Sequence, residues 1–274
     1  MTSPTDRTGP GAKLDPGLDA LIRSLQRTAP DRVFSAHYNG ERLWVKTVAR
    51  PRLRSSVLMQ KVVATVFALP LLRPARNRGG AGGLMDEADA LRKVAAAGFP
   101  APPVIACTPD WLVLGDAGEA LESKLNSLRD RAPDDCWRLI TAASILLGRL
   151  HAAGLWHGGA QIRNFSWHGD TPGLLDFEDH QLPGMTLAEK QARDLLLFVY
   201  SLTRYDRDAT QPRLPAVAAH LLGHATPEVR ASIRKLRRRM AWLLALARWL
   251  APHAGRDVRQ AAAADAALAA ALKD

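Results

Sequence analysis

Along this chain the spacing of hydrophobic residues changes between the helical period of about 3.6 residues and the strand period of two. These changes divide the chain into short predicted elements. Apolar residues at helical spacing predict a helix over residues 17–26. A strand-like alternation of period two follows on both sides of Asn39 and Gly40, a dipeptide typical of two-residue hairpin turns. We therefore predict two antiparallel strands, over residues 33–38 and 42–47, joined by a tight turn.

The next predicted elements are a helix, two strands and a second helix. The first helix is predicted over residues 84–97, since its apolar residues share one face and Gly98 provides a C-terminal stop. Short apolar runs within residues 99–105 and 111–114 predict the two strands. A longer apolar helix over residues 134–153 should follow.

The last part of the chain is predicted to be helical after one more hairpin. This hairpin would join residues 166–167 to residues 174–175, and a largely apolar helix would include residues 191–200. Further on, a basic run precedes an apolar one, and we interpret them as one helix, basic at its start, that extends to Leu250. Residues 261–272 are rich in alanine and predict a terminal helix.

Composition indicates a globular protein that is attracted to anionic partners. The chain has 274 residues, 47% of them hydrophobic, and a formal net charge of +10. Attraction to nucleic acid, anionic lipid or phosphorylated ligands is therefore expected. Its two cysteines, Cys107 and Cys136, lack the spacing of a metal site or a disulfide framework. No apolar run is long enough to span a bilayer and no signal-peptide pattern opens the chain, so we expect a cytoplasmic protein.

One stretch, from Trp156 to Asp179, carries most of the candidate chemistry. It contains His157, then Asn164 seven residues later, then Asp176 twelve residues after the asparagine. These separations match a kinase catalytic loop that is followed by a short hairpin and a metal-binding Asp-Phe-Gly segment.

Together with residues elsewhere, this stretch resembles the protein-kinase-like superfamily, in the bacterial branch that includes lipopolysaccharide core and Kdo kinases. The resemblance covers about residues 31–205 and rests on the order and spacing of Lys46, Glu87, the segment 112–116, His157, Asn164, Asp176 and Asp194. It implies an α+β, two-lobed fold with a small antiparallel β lobe and a mainly α-helical lobe. Residues 1–30 would form a tail and short helix, residues 31–118 the small lobe and residues 119–274 the large lobe.

The resemblance implies that three residues of the small lobe bind or orient ATP. Lys46 would contact the phosphates and Glu87 would orient Lys46, while Asp116 would lie in the hinge beside the nucleotide. Taken singly, however, Lys46 could be a solvent-facing strand lysine, and Glu87 could simply complement its helix dipole. Asp86 or Asp89 could then be the partner of the lysine.

In the large lobe the resemblance implies a Mg²⁺ site and a structural brace. Asn164 and Asp176 would hold the metal, and Glu178, in place of the glycine of Asp-Phe-Gly, or Asp179 would add a carboxylate. Consecutive acidic residues otherwise usually lie in a solvent-exposed turn. Asp194 would brace the catalytic-loop backbone. Because its helix is so apolar, the carboxylate of Asp194 would need a buried partner. The alternative is that Asp194 is an acid near the helix N-terminus that lies at the surface.

Besides Glu178 in place of the glycine of Asp-Phe-Gly, the chain departs from the kinase pattern at two places that matter for catalysis. Gly159 stands where the catalytic aspartate is expected, and glycine neither orients a hydroxyl nor accepts its proton. Gln161 could orient the hydroxyl, although its amide is no base at neutral pH, and His157 is the other catalytic candidate in the loop. No glycine-rich phosphate loop precedes Lys46, so the nucleotide would be held differently.

Residues 50–83 form an insertion that the kinase pattern does not require. The insertion has basic residues, an apolar middle and no acidic residue, which suits contact with an anionic membrane surface through residues 50–78. The protein would then be peripheral at the inner membrane. The alternative is a helix that packs on the small lobe and leaves a solvated basic rim.

We expect a kinase that uses ATP and Mg²⁺ to phosphorylate a hydroxyl acceptor, either a lipopolysaccharide-type sugar or a protein. The alternative is a pseudokinase, in which the same fold serves as a binding or regulatory module. Retained metal ligands favour the kinase, whereas Gly159 and the missing glycine-rich loop favour the pseudokinase. A nucleic-acid-associated kinase-like subunit would explain the charge, but no recognition motif or aromatic platform supports it.

Overall fold

The predicted α+β class is confirmed by the computed structural model, which describes residues 15–28, 31–48, 79–208, 210–250 and 255–273. In chain order the elements are α1 (Pro16–Thr28), β1 (Val33–Tyr38), β2 (Glu41–Thr47), α2 (Gly80–Ala96), β3 (Val104–Cys107), β4 (Trp111–Gly115), β5 (Glu119–Ala120), α3 (Leu121–Leu128), α4 (Pro133–Ala152), β6 (Phe165–His168), β7 (Thr171–Leu174), α5 (Leu187–Leu202), α6 (Leu214–His224), α7 (Pro227–Arg239), α8 (Ala241–Leu250) and α9 (Arg256–Ala271). A 3₁₀ turn, Ile162–Asn164, leads into β6.

A four-stranded antiparallel sheet with strand order β1-β2-β4-β3 forms the N-terminal part of the fold. The first predicted hairpin is confirmed, because Tyr38 pairs with Glu41 across the turn. Asn39 and Gly40 both have positive φ, 50° and 81°. Such a turn matches the right-handed twist of the strands it joins, and few residues other than asparagine and glycine adopt it.

The alternation of β2 directs its side chains into two different cores. Val45 faces a small apolar cluster between the sheet and α1, which includes the fully buried Ile22. The next residue, Lys46, faces the opposite side of the sheet, where its strand partner Leu112 belongs to the main core. Lys46 is therefore only 9% exposed, and the alternative of a solvent-facing strand lysine is wrong.

The second predicted hairpin is also confirmed and belongs to a smaller sheet, β5-β6-β7. Phe165 at the start of β6 pairs with Leu174 at the end of β7, and both side chains are fully buried. The ring of Phe165 also meets the ring of Phe198 on α5, with a centroid distance of 5.4 Å. The candidate loop before β6 and the segment after β7 are thus both held close to α5.

Several helices differ from their predicted extent; α9, for example, begins at Arg256, five residues before its predicted start. α2 begins at Gly80, four residues before the predicted start and inside the range assigned to the insertion. The basic and apolar runs near the C-terminus form two helices, α7 and α8, instead of one, and Met240 is the C-cap of α7. The buried residues of α7 end at Leu236, and three consecutive arginines follow. The next apolar residue, Met240, is partly buried against the main core at the end of α7.

The described residues contain no helix of the length and hydrophobicity that a membrane span needs. Residues 50–78, to which we assigned contact with an anionic membrane, lie outside the described residues. That assignment stays a prediction.

Helix α1 should contribute measurably to stability through the small cluster that it covers. Ile22 is fully buried there, so Ile22→Ala should leave a cavity and lower the free energy of unfolding by about 2–5 kcal/mol. Urea denaturation measures this change. Gln26→Ala, at an exposed position of the same helix, is the control and should change it by less than about 0.5 kcal/mol. Equal effects of the two substitutions would show that α1 does not pack on the sheet.

Candidate functional site

A buried ammonium group joins three elements of the fold. The Nζ atom of Lys46, on β2, lies 2.5 Å from Oε1 of Glu87 on α2. The same Nζ lies 2.8 Å from Oδ1 of Asp176, which follows β7. Glu87 is therefore the helix partner of the lysine, and the alternative candidate Asp89 pairs with Arg92 instead. Three residues that the sequence separates widely meet at one point.

The lysine of this cluster keeps its charge although it is buried. Burial alone would lower the pKa of Lys46, but the carboxylates of Asp176 and Glu87 raise it above its usual range. For Asp176, burial opposes ionisation, yet the ammonium group holds the pKa of the carboxyl below its usual range. Burial raises the pKa of Glu87 against the effect of Lys46, and Oε2 of Glu87 has no hydrogen-bond partner in the described part of the chain. The ammonium group of Lys46 thus forms ion pairs with two carboxylates.

The backbone of Asp176 is in the left-handed region, with φ at 58°. Few residues other than glycine adopt this conformation, although aspartate is among the more tolerant ones. Such conformations persist where the surroundings enforce them, and they are concentrated at functional sites. Here Phe177, the next residue, is buried with its ring stacked on that of His157 at a centroid distance of 4.3 Å. The backbone of Asp176 therefore marks this segment as a functional candidate.

The ring of His157 is fully buried and connects the candidate loop to the segment that carries Asp176. Its Nε2 donates a hydrogen bond to the carbonyl of Leu175 at 2.8 Å, and the amide of Gly159 donates to Nδ1 at 3.3 Å. These two bonds require the neutral tautomer that is protonated at Nε2. Burial lowers the pKa of His157, which agrees with a neutral ring. Both nitrogens are engaged, so the geometry favours a structural role for His157 over a catalytic one.

The carboxylate of Asp194, on α5, holds the loop through backbone amides. Its Oδ2 accepts from the amide of His157 at 2.7 Å and from Nε2 of His151 at 3.1 Å, and its Oδ1 accepts from the amide of Gly158 at 2.8 Å. Burial would raise the pKa of Asp194, but these donors together lower it below its usual range. The alternative of a surface acid is wrong, because Asp194 is completely buried.

Two further side chains of α5 hold the same loop, and the sequence analysis missed both. Nε2 of Gln191 donates to the carbonyls of His151 and Leu155 at 2.9 and 3.0 Å. Nε of Arg193 donates to the carbonyl of Gly158 at 3.1 Å. The available signal was the presence of polar residues in the first turns of an otherwise apolar helix, which need buried partners.

Asn164 and Gln161 shape the 3₁₀ turn at the end of the loop. Nδ2 of Asn164 donates to the carbonyl of Gly159 at 2.8 Å, which identifies the end of the amide that carries its oxygen. The backbone carbonyl of Gln161 accepts from the amide of Asn164 at 2.8 Å. The side chain of Gln161 is half-buried, and among the described residues it makes no hydrogen bond.

Glu178 forms an ion pair with Arg32, a residue that the sequence analysis did not single out. Nη1 of Arg32 lies 2.7 Å from Oε2 of Glu178, and Nε of Arg32 donates to the carbonyl of Thr47 at 3.0 Å. Burial, together with the charge of Glu178, raises the pKa of the neighbouring Asp179. No local signal distinguishes Arg32 from other arginines, because its partner lies 146 residues further along the chain.

Asp116 lies apart from the Lys46 cluster. Its Oδ1 accepts hydrogen bonds from Nη2 of Arg42 at 2.8 Å and from Nε1 of Trp44 at 3.2 Å. Burial would raise the pKa of Asp116, but these bonds lower it. Lys46 pairs with Leu112, so Asp116, four residues further on, is about 13 Å away along the strand direction.

Asp176 and Asn164 carry the kinds of oxygen donor that suit a Mg²⁺ ion whose other ligands come from phosphate and water. Across the described ranges, no group of three or more His, Cys, Asp or Glu side chains forms a metal site by itself. Asp176 offers a carboxylate and Asn164 an amide oxygen, which are the donors that Mg²⁺ prefers. Mg²⁺ commonly uses one or two carboxylates and takes its remaining ligands from phosphates and water. The residues present suit that arrangement.

Comparison of the whole chain with protein-family models and with curated proteins finds no match. A functional assignment therefore rests on the geometry of the site.

Asp194 should stabilise the fold in a pH-dependent way. Its pKa in the folded state lies below the value of about 3.9 for an unfolded aspartate, so its contribution is present above that pH and is lost as the pH falls through the folded-state pKa. Asp194→Asn places an amide group against backbone donors and should lower the free energy of unfolding at pH 7 by about 3–5 kcal/mol.

Denaturant titration at pH 7 and near pH 3 tests this expectation. The difference between the wild type and Asp194→Asn should shrink at the lower pH, because Asp194 is then largely protonated in the unfolded chain, so that part of the stability contributed by its carboxylate is lost. Asp170→Asn, which removes an exposed carboxylate at the β6–β7 turn, is the matched control. A difference that stays the same at both values of pH would contradict the role assigned to the Asp194 charge.

Proposed function

We propose that this chain is an ATP- and Mg²⁺-dependent phosphotransferase of the protein-kinase-like class, acting on a hydroxyl acceptor. The observation that carries the proposal is the buried ammonium group of Lys46, which bridges Glu87 and Asp176. A buried ion cluster of this kind is a costly way to stabilise a fold. A function in which Lys46 contacts phosphate oxygens and Asp176 contacts the metal would explain it.

The arrangement of elements supports a kinase-like division into a small β lobe and a helical lobe. The lysine is on an inner strand of the four-stranded sheet, and the next described element, α2, supplies the glutamate that pairs with it. The candidate loop and Asp176 lie on either side of the β6–β7 hairpin, next to α5. This order agrees with the order of motifs that produced the resemblance.

Each residue then has a role in binding the nucleotide. Lys46 would contact the phosphates, with Glu87 holding its ammonium group in place, and Asp116 would mark the end of the site where the base lies. Mg²⁺, when bound, would neutralise charge on the phosphates. Asn164 and Asp176 are the protein ligands that we assign to it.

Arg32 is a second cation that we assign to the phosphates. Its guanidinium group pairs with Glu178, two residues after Asp176. In the described residues no strand precedes β1, so no glycine-rich turn is seen to cover the site. A planar guanidinium group binds phosphate oxygens well. Arg32 would therefore provide part of the contact that a glycine-rich loop provides elsewhere.

The acceptor would carry an alcohol group, either on a lipopolysaccharide-type sugar or on a protein. The second candidate function is a pseudokinase that binds without turnover. Gly159 favours this second function, because the loop itself offers no carboxylate at that position.

Calorimetric titration with ATP, with and without Mg²⁺, tests the nucleotide site. We expect Mg²⁺-dependent binding to the wild type, and Asp176→Ala should weaken it by about 10- to 100-fold, because a charged ligand is lost. Asp170→Ala removes an exposed carboxylate of the same hairpin and should leave binding unchanged. An absence of ATP binding under both conditions would sink the proposal and leave a scaffold that acts through other partners.

The same titration tests Arg32. Arg32→Ala should weaken MgATP binding by about tenfold or more, the loss expected for a charge-assisted hydrogen bond. Arg23→Ala removes an exposed arginine of α1 and serves as the control. Unchanged or tighter binding in Arg32→Ala would mean that Arg32 only neutralises Glu178.

A further inference from the structure

The position of Gly159 has space for a side chain, and another residue fills that space. The φ angle of Gly159 lies outside the left-handed region, so its backbone conformation would accept any residue. A Cβ atom built on Gly159 would lie 3.4 Å from both Cβ and Oδ2 of Asp179, and 3.6 Å from Nδ2 of Asn164. The carboxylate of Asp179 thus occupies the region that a side chain at residue 159 would enter.

The chain around Asp179 is held against the loop on two sides. Gly158 has φ at +94°, and a Cβ atom there would lie 2.3 Å from the carbonyl oxygen of Asp179. Only glycine therefore permits this close approach of the two backbones. On the other side, Nε1 of Trp156 donates to the carbonyl of His180 at 3.0 Å, and the two rings stack with centroids 4.4 Å apart. The position of Asp179 beside Gly159 is therefore enforced by its neighbours.

The carboxylate of Asp179 differs from the two other acids of this segment in lacking a partner. Lys46 binds Asp176, and Arg32 binds Glu178. Among the described residues, by contrast, the carboxylate of Asp179 forms no hydrogen bond or ion pair, although the charges of Arg193 and Arg163 act on it. An acid in this state can accept a hydrogen bond from a substrate without first breaking one within the protein.

We propose that Asp179 is the catalytic carboxylate of this site and acts in place of an acid at residue 159, an inference that rests on the proposed function. It would accept the hydrogen bond of the acceptor hydroxyl and direct its oxygen at the γ-phosphorus of ATP. As the new oxygen–phosphorus bond forms, the bond from the γ-phosphorus to the β–γ bridging oxygen breaks and ADP leaves. The hydroxyl proton passes to Asp179 and from there to solvent.

The proposal can be tested with water as the acceptor, by measuring release of ADP from MgATP. Asp179→Asn keeps the size of the side chain but loses the base, so kcat should fall by about 100-fold or more. The dissociation constant for MgATP should change by less than about twofold, since Asp179 has no role in nucleotide binding in this scheme. Asp170→Asn, at an exposed turn, should match the wild type in both quantities.

A double variant, Gly159→Asp with Asp179→Ala, moves the carboxylate to the loop and opens space for it. Its kcat should be at least about tenfold higher than that of Asp179→Asn, because the carboxylate returns to the same region. Binding of MgATP by each variant serves as the test that it is folded.

Three results would overturn the proposal. They are unchanged turnover in Asp179→Asn, a loss that the relocated acid does not restore, and a wild type that binds MgATP without hydrolysing it. The last result would leave the nucleotide site intact and exclude only the role of Asp179. If the wild type does not bind MgATP, the proposed function fails, and the inference fails with it.

Discussion

An ammonium group loses most of its hydration when it is buried, and it stays charged only if acids are placed beside it. Lys46 meets this constraint with Glu87 on one side and Asp176 on the other. Because these three residues come from a strand, a helix and the segment after a distant hairpin, one charge ties three parts of the fold together. The cluster therefore links the sheet, α2 and the backbone of Asp176 at one point.

The loop beside the cluster is held by a separate set of contacts. Asp194 and Gln191 bind its backbone from α5, and His157 connects it to the segment that carries Asp176. None of these contacts needs a side chain at Gly159. The scaffold of the loop is therefore independent of the group that we propose for catalysis, so the arrangement is compatible with both proposed functions.

Several features of the site followed from sequence patterns because they are local. The Asn39-Gly40 turn and the alternation of β2 predicted the strand that carries Lys46, although they left open whether the lysine faces solvent. The spacing of His157, Asn164 and Asp176 indicated their order around a hairpin. The break of the C-terminal basic helix into α7 and α8 was not predicted. Three consecutive arginines separate the last buried residue of α7 from Met240, and this interruption of the buried face becomes visible only when the packing of that helix is known.

The sequence by itself determined the α+β class and most of the elements in their order, because hydrophobic periodicity and turn residues act over a few neighbouring positions. It did not predict α3, β5 or α6. Only the tertiary structure decided which charges meet. Arg32 pairs with Glu178, and Asp179 comes to lie beside Gly159. The first of these contacts joins distant residues, and the second depends on backbone conformations such as those of Gly158 and Asp176, which arise from packing and are not encoded in any local pattern.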